Sequence, residues 1–117
     1  MQVKRIADAQ PYEAAKHHAM CGLRLQGHDA TDTDAFWVGL SHFLPSGGAE
    51  MSASTVERVY VVISGELTIT TEGGEITLRA LDSCHLAPLE PRKIENRTNC
   101  PASILVIMPY SARSGAS

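Results

Sequence analysis

Hydrophobic and polar residues alternate along most of this chain, a period of two that is typical of half-buried β-strands. The clearest runs are "AFWVGLSHFL", "VERVYVVIS", "ELTITTE", "EITLRA", "SCHLA", "RKIENR" and "ASILVIMPY", and weaker ones are "VKRI" and "MCGLRLQ". Two glycines, at 73 and 74, separate two of these runs and predict a hairpin. Only Pro11 to Met20, "PYEAAKHHAM", favours a turn or two of helix. Eight or more short strands predict an all-β protein, either a sandwich or a closed barrel.

The same alternation assigns side chains to the two faces of each strand. In "VERVYVVIS", Arg58 shares a face with Tyr60 and Val62. The opposite face carries Glu57, Val59, Val61 and Ile63. In "RKIENR", Arg92 lies on the less polar face beside Ile94. Both arginines are therefore predicted to point toward the interior of the protein.

Composition narrows the class of protein further. The 117 residues fit one domain, 1–117, and 44% of them are hydrophobic, enough for a core. A net charge of −3 without a basic stripe argues against a nucleic-acid partner. No apolar run approaches the roughly 20 residues of a membrane span, and the first residues lack the apolar core of a signal peptide. Three cysteines without metal-knuckle spacing then predict a cytoplasmic protein with reduced thiols.

From about residue 36 to 109 the sequence resembles a small single-domain cupin. "VERVYVVISGELTIT" is similar to the strand–glycine–strand element of that family, with Gly65 and Glu66 in the usual places. "LDSCHLAPLEPRKIEN" is similar to the second cupin motif, which ends at Asn96, and "CPASILVIMPY" to the closing strand. The resemblance implies a jelly-roll β-barrel, a site inside it and a homodimer. Residues 1–35 would form N-terminal strands or an arm, and 111–117 a flexible tail.

Many cupins bind a divalent metal through two histidines and a glutamate in the first motif and a histidine in the second. In this sequence Arg58 stands at the glutamate position. The first two histidine positions fall on Ser52 and Ser54, or on Met51 and Ala53 if the spacing is one residue longer. The resemblance therefore predicts no metal and no other cofactor.

The second motif departs from the family in the same way. Its histidine position falls on Arg92, or on Lys93 in a register slipped by one residue. We prefer Arg92, because alternation places Lys93 on the solvent face. The two glycines of this motif are replaced by Leu81 and Leu89.

Two interior arginines suggest a binding site for an anion. A guanidinium grips a carboxylate or phosphate through paired hydrogen bonds, whereas a buried charge without a partner is costly. We expect Arg58 and Arg92, with the hydroxyls of Ser52 and Ser54, to bind a small anionic metabolite. The alternative is a structural role, in which the arginines pair with internal acids such as Glu50 or Asp82 or reach the barrel mouth.

Candidate acid–base groups of such a site are His42, His85 and Tyr60. His17 and His18 are adjacent and are predicted to be surface or interface residues. The hypotheses are a binding protein or an isomerase- or lyase-type enzyme acting on a small acid, and alternatively a non-catalytic structural or ligand-sensing dimer. A metal held by unusual ligands such as His42 and His85 is a further alternative. The apolar row that starts at Val59 predicts a partner subunit over that face.

Overall fold

The computed structural model describes residues 1–111, which form an almost purely antiparallel β-structure. The strands are β1 (Pro11–Tyr12), β2 (His17–Gln26), β3 (Phe36–Ser52), β4 (Arg58–Ser64), β5 (Glu66–Thr71), β6 (Gly74–Arg79), β7 (Ser83–Leu86), β8 (Arg92–Glu95) and β9 (Ala102–Pro109). A short 3-10 turn at Ile6–Asp8 precedes them. No helix within this part of the chain is long and apolar enough to span a membrane. The tail predicted at 111–117 lies, from residue 112 on, outside the described residues.

The strands form one sheet that curls into a nearly closed barrel. Their order is β6-β5-β8-β3-β9-β4-β7, with β2 beside β3 and β1 beside β2. All pairs are antiparallel, and the predicted hairpin is present as β5–β6, where Thr71 pairs with Gly74. The arrangement confirms the predicted all-β jelly-roll barrel.

Strand β3 holds the barrel together because three other strands pair with it. Its first half, Phe36 to Phe43, runs beside β9, and its second half pairs with β8 from Gly48 to Ser52. Strand β2 follows both halves on the other side. A Cβ atom at Gly48 would collide with the carbonyl oxygen of Ile94, so only glycine permits this approach of β3 to β8.

Strand alternation decides which side chains fill the barrel. In β4, Arg58, Tyr60 and Val62 are buried, while Val59 and Val61 are only half-buried on the outer face. The predicted inward orientation of this strand is therefore correct. The apolar core consists of Phe43, Ala49, Tyr60, Val62, Leu67, Ile69, Leu78, Leu86, Ile94, Ala102 and Ile104. The partner subunit expected over the outer face stays a prediction.

The prediction was wrong for the N-terminal segment. Residues Pro11 to Met20 form β1 and the start of β2 instead of a helix. Lys16 and Ala19 have φ angles of 61° and 49°, which lie in the left-handed region and interrupt any right-handed helix. The stretch "VKRI", predicted as a first strand, leads instead into the 3-10 turn.

Leu81 and Leu89, the residues at the family's glycine positions, adopt the backbone conformation that glycine would favour. Their φ angles are 72° and 65°, and both side chains are exposed. Backbone hydrogen bonds hold them there, from Leu81 N to Val62 O and from Leu89 N to Ser54 O, each 2.7 Å long. A left-handed conformation costs a residue with a Cβ about 1–2 kcal/mol.

We expect Leu81→Gly and Leu89→Gly each to stabilise the protein. Relief of the strain exceeds the entropic cost of glycine, about 0.5–1 kcal/mol, so the net gain should be about 0.5–1 kcal/mol. The measurement is the free energy of unfolding in urea. The control is Leu44→Gly, which changes an exposed leucine without a positive φ in β3 and should destabilise the protein. Equal losses in all three variants would contradict the strain argument.

Candidate active site

A cavity of about 150 Å³ lies inside the barrel. It receives side chains from β1, β2, β3, β4, β8 and β9, because alternation sends every second residue of these strands inward. The lining residues are Tyr12, Ala14, His17, Trp37, Ser41, Phe43, Ser54, Arg58, Tyr60, Arg92, Ile94, Ile104, Val106 and Met108. The lining is mostly apolar, with a small cluster of polar groups at one place.

That cluster is built around the phenol oxygen of Tyr60. The oxygen accepts a hydrogen bond from Nε of Arg58 at 3.3 Å and one from Nε of Arg92 at 2.8 Å. Arg58 is only 2% exposed and Arg92 only 7%. Two lone pairs of the phenol oxygen are thereby occupied, and its own O–H hydrogen has no acceptor among residues 1–111. That hydrogen is available to a molecule bound in the cavity.

The other guanidinium nitrogens are only partly satisfied. Nη1 of Arg92 donates to Oγ of Ser52 at 2.9 Å and to the backbone oxygen of Glu50 at 3.2 Å. Nη2 of Arg58 makes a long bond, 3.4 Å, to the backbone oxygen of Glu90. Nη1 of Arg58 is buried and has no hydrogen-bond partner within the described chain. Such an orphaned donor is rare in a folded protein and points to a missing acceptor.

The structural ion pairs considered from the sequence do not form. Asp82 accepts a hydrogen bond from the backbone N of Arg79, and Glu50 meets Arg92 only through its backbone oxygen. Neither Arg58 nor Arg92 makes an ion pair with a carboxylate within residues 1–111. Two like charges therefore share an interior site of reduced dielectric, where they repel each other more strongly than in water.

These donors do not fit a divalent metal. A guanidinium has no lone pair to offer, so Arg58 and Arg92 cannot replace a glutamate and a histidine as ligands. Ser52 is bonded to Arg92, and Oγ of Ser54, at the cavity wall, accepts a hydrogen bond from the backbone N of Val56 at 3.2 Å. In the described part of the chain no group of three or more His, Cys, Asp or Glu side chains is placed to hold a metal.

His17 lines the cavity, whereas its place beside His18 predicted a surface or interface position. Its ring stacks on Phe43, with centroids 6.2 Å apart, and its Nδ1 lies 2.7 Å from the backbone oxygen of Ala15. Nδ1 therefore carries the hydrogen and donates, which leaves a lone pair on Nε2. Burial lowers the pKa of His17, although the bond to Ala15 opposes this, and the charge of Arg92 lowers it further.

Tyr12 is a second lining residue that was not predicted from the sequence. Burial raises the pKa of its phenol, while the charge of Arg24 and a hydrogen bond with Ser41 act in the opposite direction. Tyr12 and His17 were both missed because their segment was interpreted as helical. Alternation along a strand would have placed His17 inward and the exposed His18 outward, which is what the structure shows.

His42 and His85 do not join Tyr60 in the cavity, as was expected for acid–base groups of one site. His42 lies between the inward residues Ser41 and Phe43 and so faces outward, with Nδ1 2.6 Å from Oγ of Ser103. His85 is exposed, and its Nε2 lies 2.8 Å from the carboxylate of Glu57. Each has a partner on the outer surface, and the unusual metal site considered for the two is not formed within residues 1–111.

Comparisons with known proteins agree with this architecture. The family described as "Cupin_2: Cupin domain" matches residues 39–108. The chain is 46% identical over 110 residues to a Mycobacterium tuberculosis protein named beta-D-galactosidase Rv1717, with 94% of this chain and 95% of that protein covered.

Two solved structures show the same fold. The polyketide cyclase RemF from Streptomyces resistomycificus superposes with a TM-score of 0.83 at 14% identity, over 93% of this chain and 79% of that one. An RmlC-like cupin from Shewanella frigidimarina superposes with a TM-score of 0.78 at 14% identity, over 100% of this chain and 96% of that one. At such identities the likeness concerns the fold alone.

The lowered pKa of His17 predicts a dependence of stability on pH. Below pH 6.5, the ordinary pKa of histidine, His17 of the unfolded chain binds a proton, whereas His17 of the folded protein binds one only at a lower pH. The free energy of unfolding therefore falls as the pH drops from 6.5 toward the pKa of His17 in the folded protein. In His17→Gln this part of the slope should disappear. The free energy of unfolding, measured from about pH 7 to about pH 5, checks it. An unchanged slope in His17→Gln would refute the prediction.

Proposed function

The chain belongs to the Cupin_2 domain family, and from that premise we propose that its barrel binds a small anionic metabolite, a carboxylate or a phosphate, without a metal. The observation that carries the proposal is Nη1 of Arg58, a buried donor that has no acceptor among residues 1–111 and lies beside a second buried arginine. An anion bound there accepts hydrogen bonds from Arg58 and Arg92 and relieves their repulsion.

The cavity limits the size of the group that enters. A cavity of about 150 Å³ is comparable to the engineered apolar cavity that holds a benzene molecule, which has about six heavy atoms. The enclosed part of the ligand is therefore a small acid or the acidic end of a larger molecule. The apolar walls formed by Ile94, Ile104 and Val106 favour a short carbon skeleton next to the acid.

Two groups beside the arginines supply acid–base chemistry of the isomerase or lyase type. His17 has a lone pair on Nε2 and a lowered pKa, so it stays neutral and can take a proton from the carbon next to a bound carboxylate. The arginines stabilise the negative charge that develops on the carboxylate oxygens. Tyr60 donates a hydrogen bond from its O–H to the neighbouring oxygen of the substrate and keeps its proton. His17 then returns the abstracted proton, to carbon in an isomerisation or to the leaving group as its bond to carbon breaks in an elimination, so both side chains end as they began. In this scheme His17 takes the role first expected of His42 and His85.

Hydrolysis of a β-D-galactoside is a second candidate, favoured by the name of the 46% identical relative. Glycosidases of most families use a pair of carboxylic acids around the bond that is cleaved. Among residues 1–111, no Asp or Glu lines the cavity. Hydrolysis inside this barrel would have to rely on His17 and Tyr60 for proton transfer.

The anion site is tested by thermal unfolding with small carboxylates and with phosphorylated metabolites. A ligand at about 100 times its Kd adds about 2.7 kcal/mol of stability, which is roughly 10 °C for a domain of this size. We expect some of these anions to raise the melting temperature by such an amount. Arg58→Met and Arg92→Met should each abolish the rise, and Arg58→Met should leave the empty protein at least as stable as wild type.

The matched control is Arg79→Met, which removes an exposed arginine that pairs with Glu66 at 3.1 Å. This variant should keep the full ligand-induced rise. The anion site is wrong if no acid raises the melting temperature of the wild-type protein, or if Arg79→Met reduces the rise as much as Arg58→Met does.

Hydrolysis is tested with 4-nitrophenyl β-D-galactoside. If the purified protein hydrolyses this substrate inside the cavity, Tyr60→Phe should lower the kcat of nitrophenol release about 100-fold, which is the lower end of what a general acid contributes. An unchanged kcat in Tyr60→Phe, with loss in Glu57→Gln, would place the hydrolysis on the outer surface. No release of nitrophenol at all would reject this second candidate.

A further inference from the structure

A second concave site lies against the mouth of the cavity. This outer groove, with a volume of about 400 Å³, is formed chiefly by Tyr12, Glu13, Arg24, His28, Trp37 and Tyr110. Tyr12, Trp37 and Met108 line both the groove and the cavity, so the two spaces adjoin across these three side chains. A molecule whose acidic end is inside the barrel would place its remainder here.

The aromatic wall of the groove is held rigidly. His28 packs edge-on against Trp37 and Tyr110, with ring centroids 5.0 and 5.2 Å apart. The Tyr110 hydroxyl accepts a hydrogen bond from the backbone N of His28 at 2.9 Å and lies 2.6 Å from Oγ1 of Thr33. His28 itself has a φ of 51°, an uncommon conformation that persists only where its surroundings enforce it. The rings are therefore oriented before any ligand arrives.

Arg24 presents free donors over this wall. Its guanidinium carbon lies 3.9 Å from the centroid of the Tyr12 ring and 5.1 Å from that of Trp37. This stacking occupies the faces of the guanidinium and leaves its N–H edge open. Within residues 1–111 that edge makes neither a side-chain hydrogen bond nor an ion pair with a carboxylate. The donors are fixed in place and available.

Glu13, an exposed residue of the same groove, decides which chemistry fits. A second anion would suit Arg24 but would be repelled by Glu13, and a purely apolar ring would leave both charged groups without a partner. A hydroxyl group accepts from Arg24 and donates to Glu13. An aliphatic ring that carries several hydroxyls also has C–H faces that pack on the negative face of an aromatic ring. A sugar ring combines both properties.

We propose that the outer groove binds the ring of a sugar acid or sugar phosphate whose acidic group lies between Arg58 and Arg92. The inference rests on the proposed anion site and names the class of its ligand. The ring lies against Trp37 and Tyr12 at the mouth, and its hydroxyls reach the N–H edge of Arg24. The acidic group provides affinity through its contacts in the cavity. The outer groove makes acids that carry a sugar ring bind more tightly than acids that lack one.

The experiment compares two matched pairs by isothermal titration calorimetry. One pair is galacturonate and glycolate, and the other is galactose 1-phosphate and inorganic phosphate. In at least one pair, we expect the sugar to bind about tenfold tighter than the small acid, which corresponds to about 1.4 kcal/mol. Arg24→Met keeps the alkyl stem but loses the donors, so it should reduce the affinity for the sugar to that for the small acid. It should leave the affinity for the small acid unchanged.

The arms of the experiment separate the two proposals. Arg58→Met should weaken both members of a pair, and Arg79→Met should weaken neither. If the small acids bind through Arg58 but neither sugar binds tighter, the outer groove has no role and the anion site stands. If Arg24→Met weakens both members equally, Arg24 acts on the acid and the sugar assignment is wrong. If no member of either pair binds although other acids raise the melting temperature, the sugar assignment is wrong and the anion site stands.

Discussion

Two buried positive charges that share one phenol oxygen are the constraint on which the site depends. Arg58 and Arg92 both donate to Tyr60, and the described chain supplies no carboxylate to neutralise either of them. Placing such charges in an interior costs several kcal/mol per ion unless hydrogen bonds compensate. The barrel supplies part of that compensation through Ser52 and backbone oxygens, and within the described chain one donor of Arg58 has no acceptor. The interior thus concentrates two positive charges and an unsatisfied donor around one phenol oxygen.

The barrel makes this arrangement possible because its strands hold opposing side chains at fixed positions. Arg58 and Tyr60 come from β4, and Arg92 comes from β8 on the far side of the strand order. Strand β3 sets the distance between β4 and β8, because its first half pairs with β9, which in turn pairs with β4, and its second half pairs with β8 directly. The same positions would suit metal ligands if their side chains offered lone pairs. Here the same scaffold presents hydrogen-bond donors instead.

Sequence alone was sufficient wherever strand alternation was the deciding factor. It placed Arg58, Tyr60 and Arg92 on inner faces, and the family resemblance identified the barrel. It failed where local pattern and tertiary pairing disagree. His17 and Tyr12 lie in a stretch that looks helical, and only the pairing of β1 with β2 and of β2 with β3 makes it extended. His42 shares its face with apolar residues that cover the outside of the sheet, so an apolar neighbourhood did not mean an inward direction.

Strand β1 has a consequence for the kinetics of exchange between the cavity and the solvent. It carries Tyr12 over the mouth, yet it is joined to the sheet through only two residue pairs with β2. Segments with so few contacts open locally at a small fraction of the free energy of global unfolding. A bound molecule could enter and leave through this opening while the other eight strands stay paired. A molecule that touches Tyr12 from both sides would hold β1 down and lengthen its own residence time.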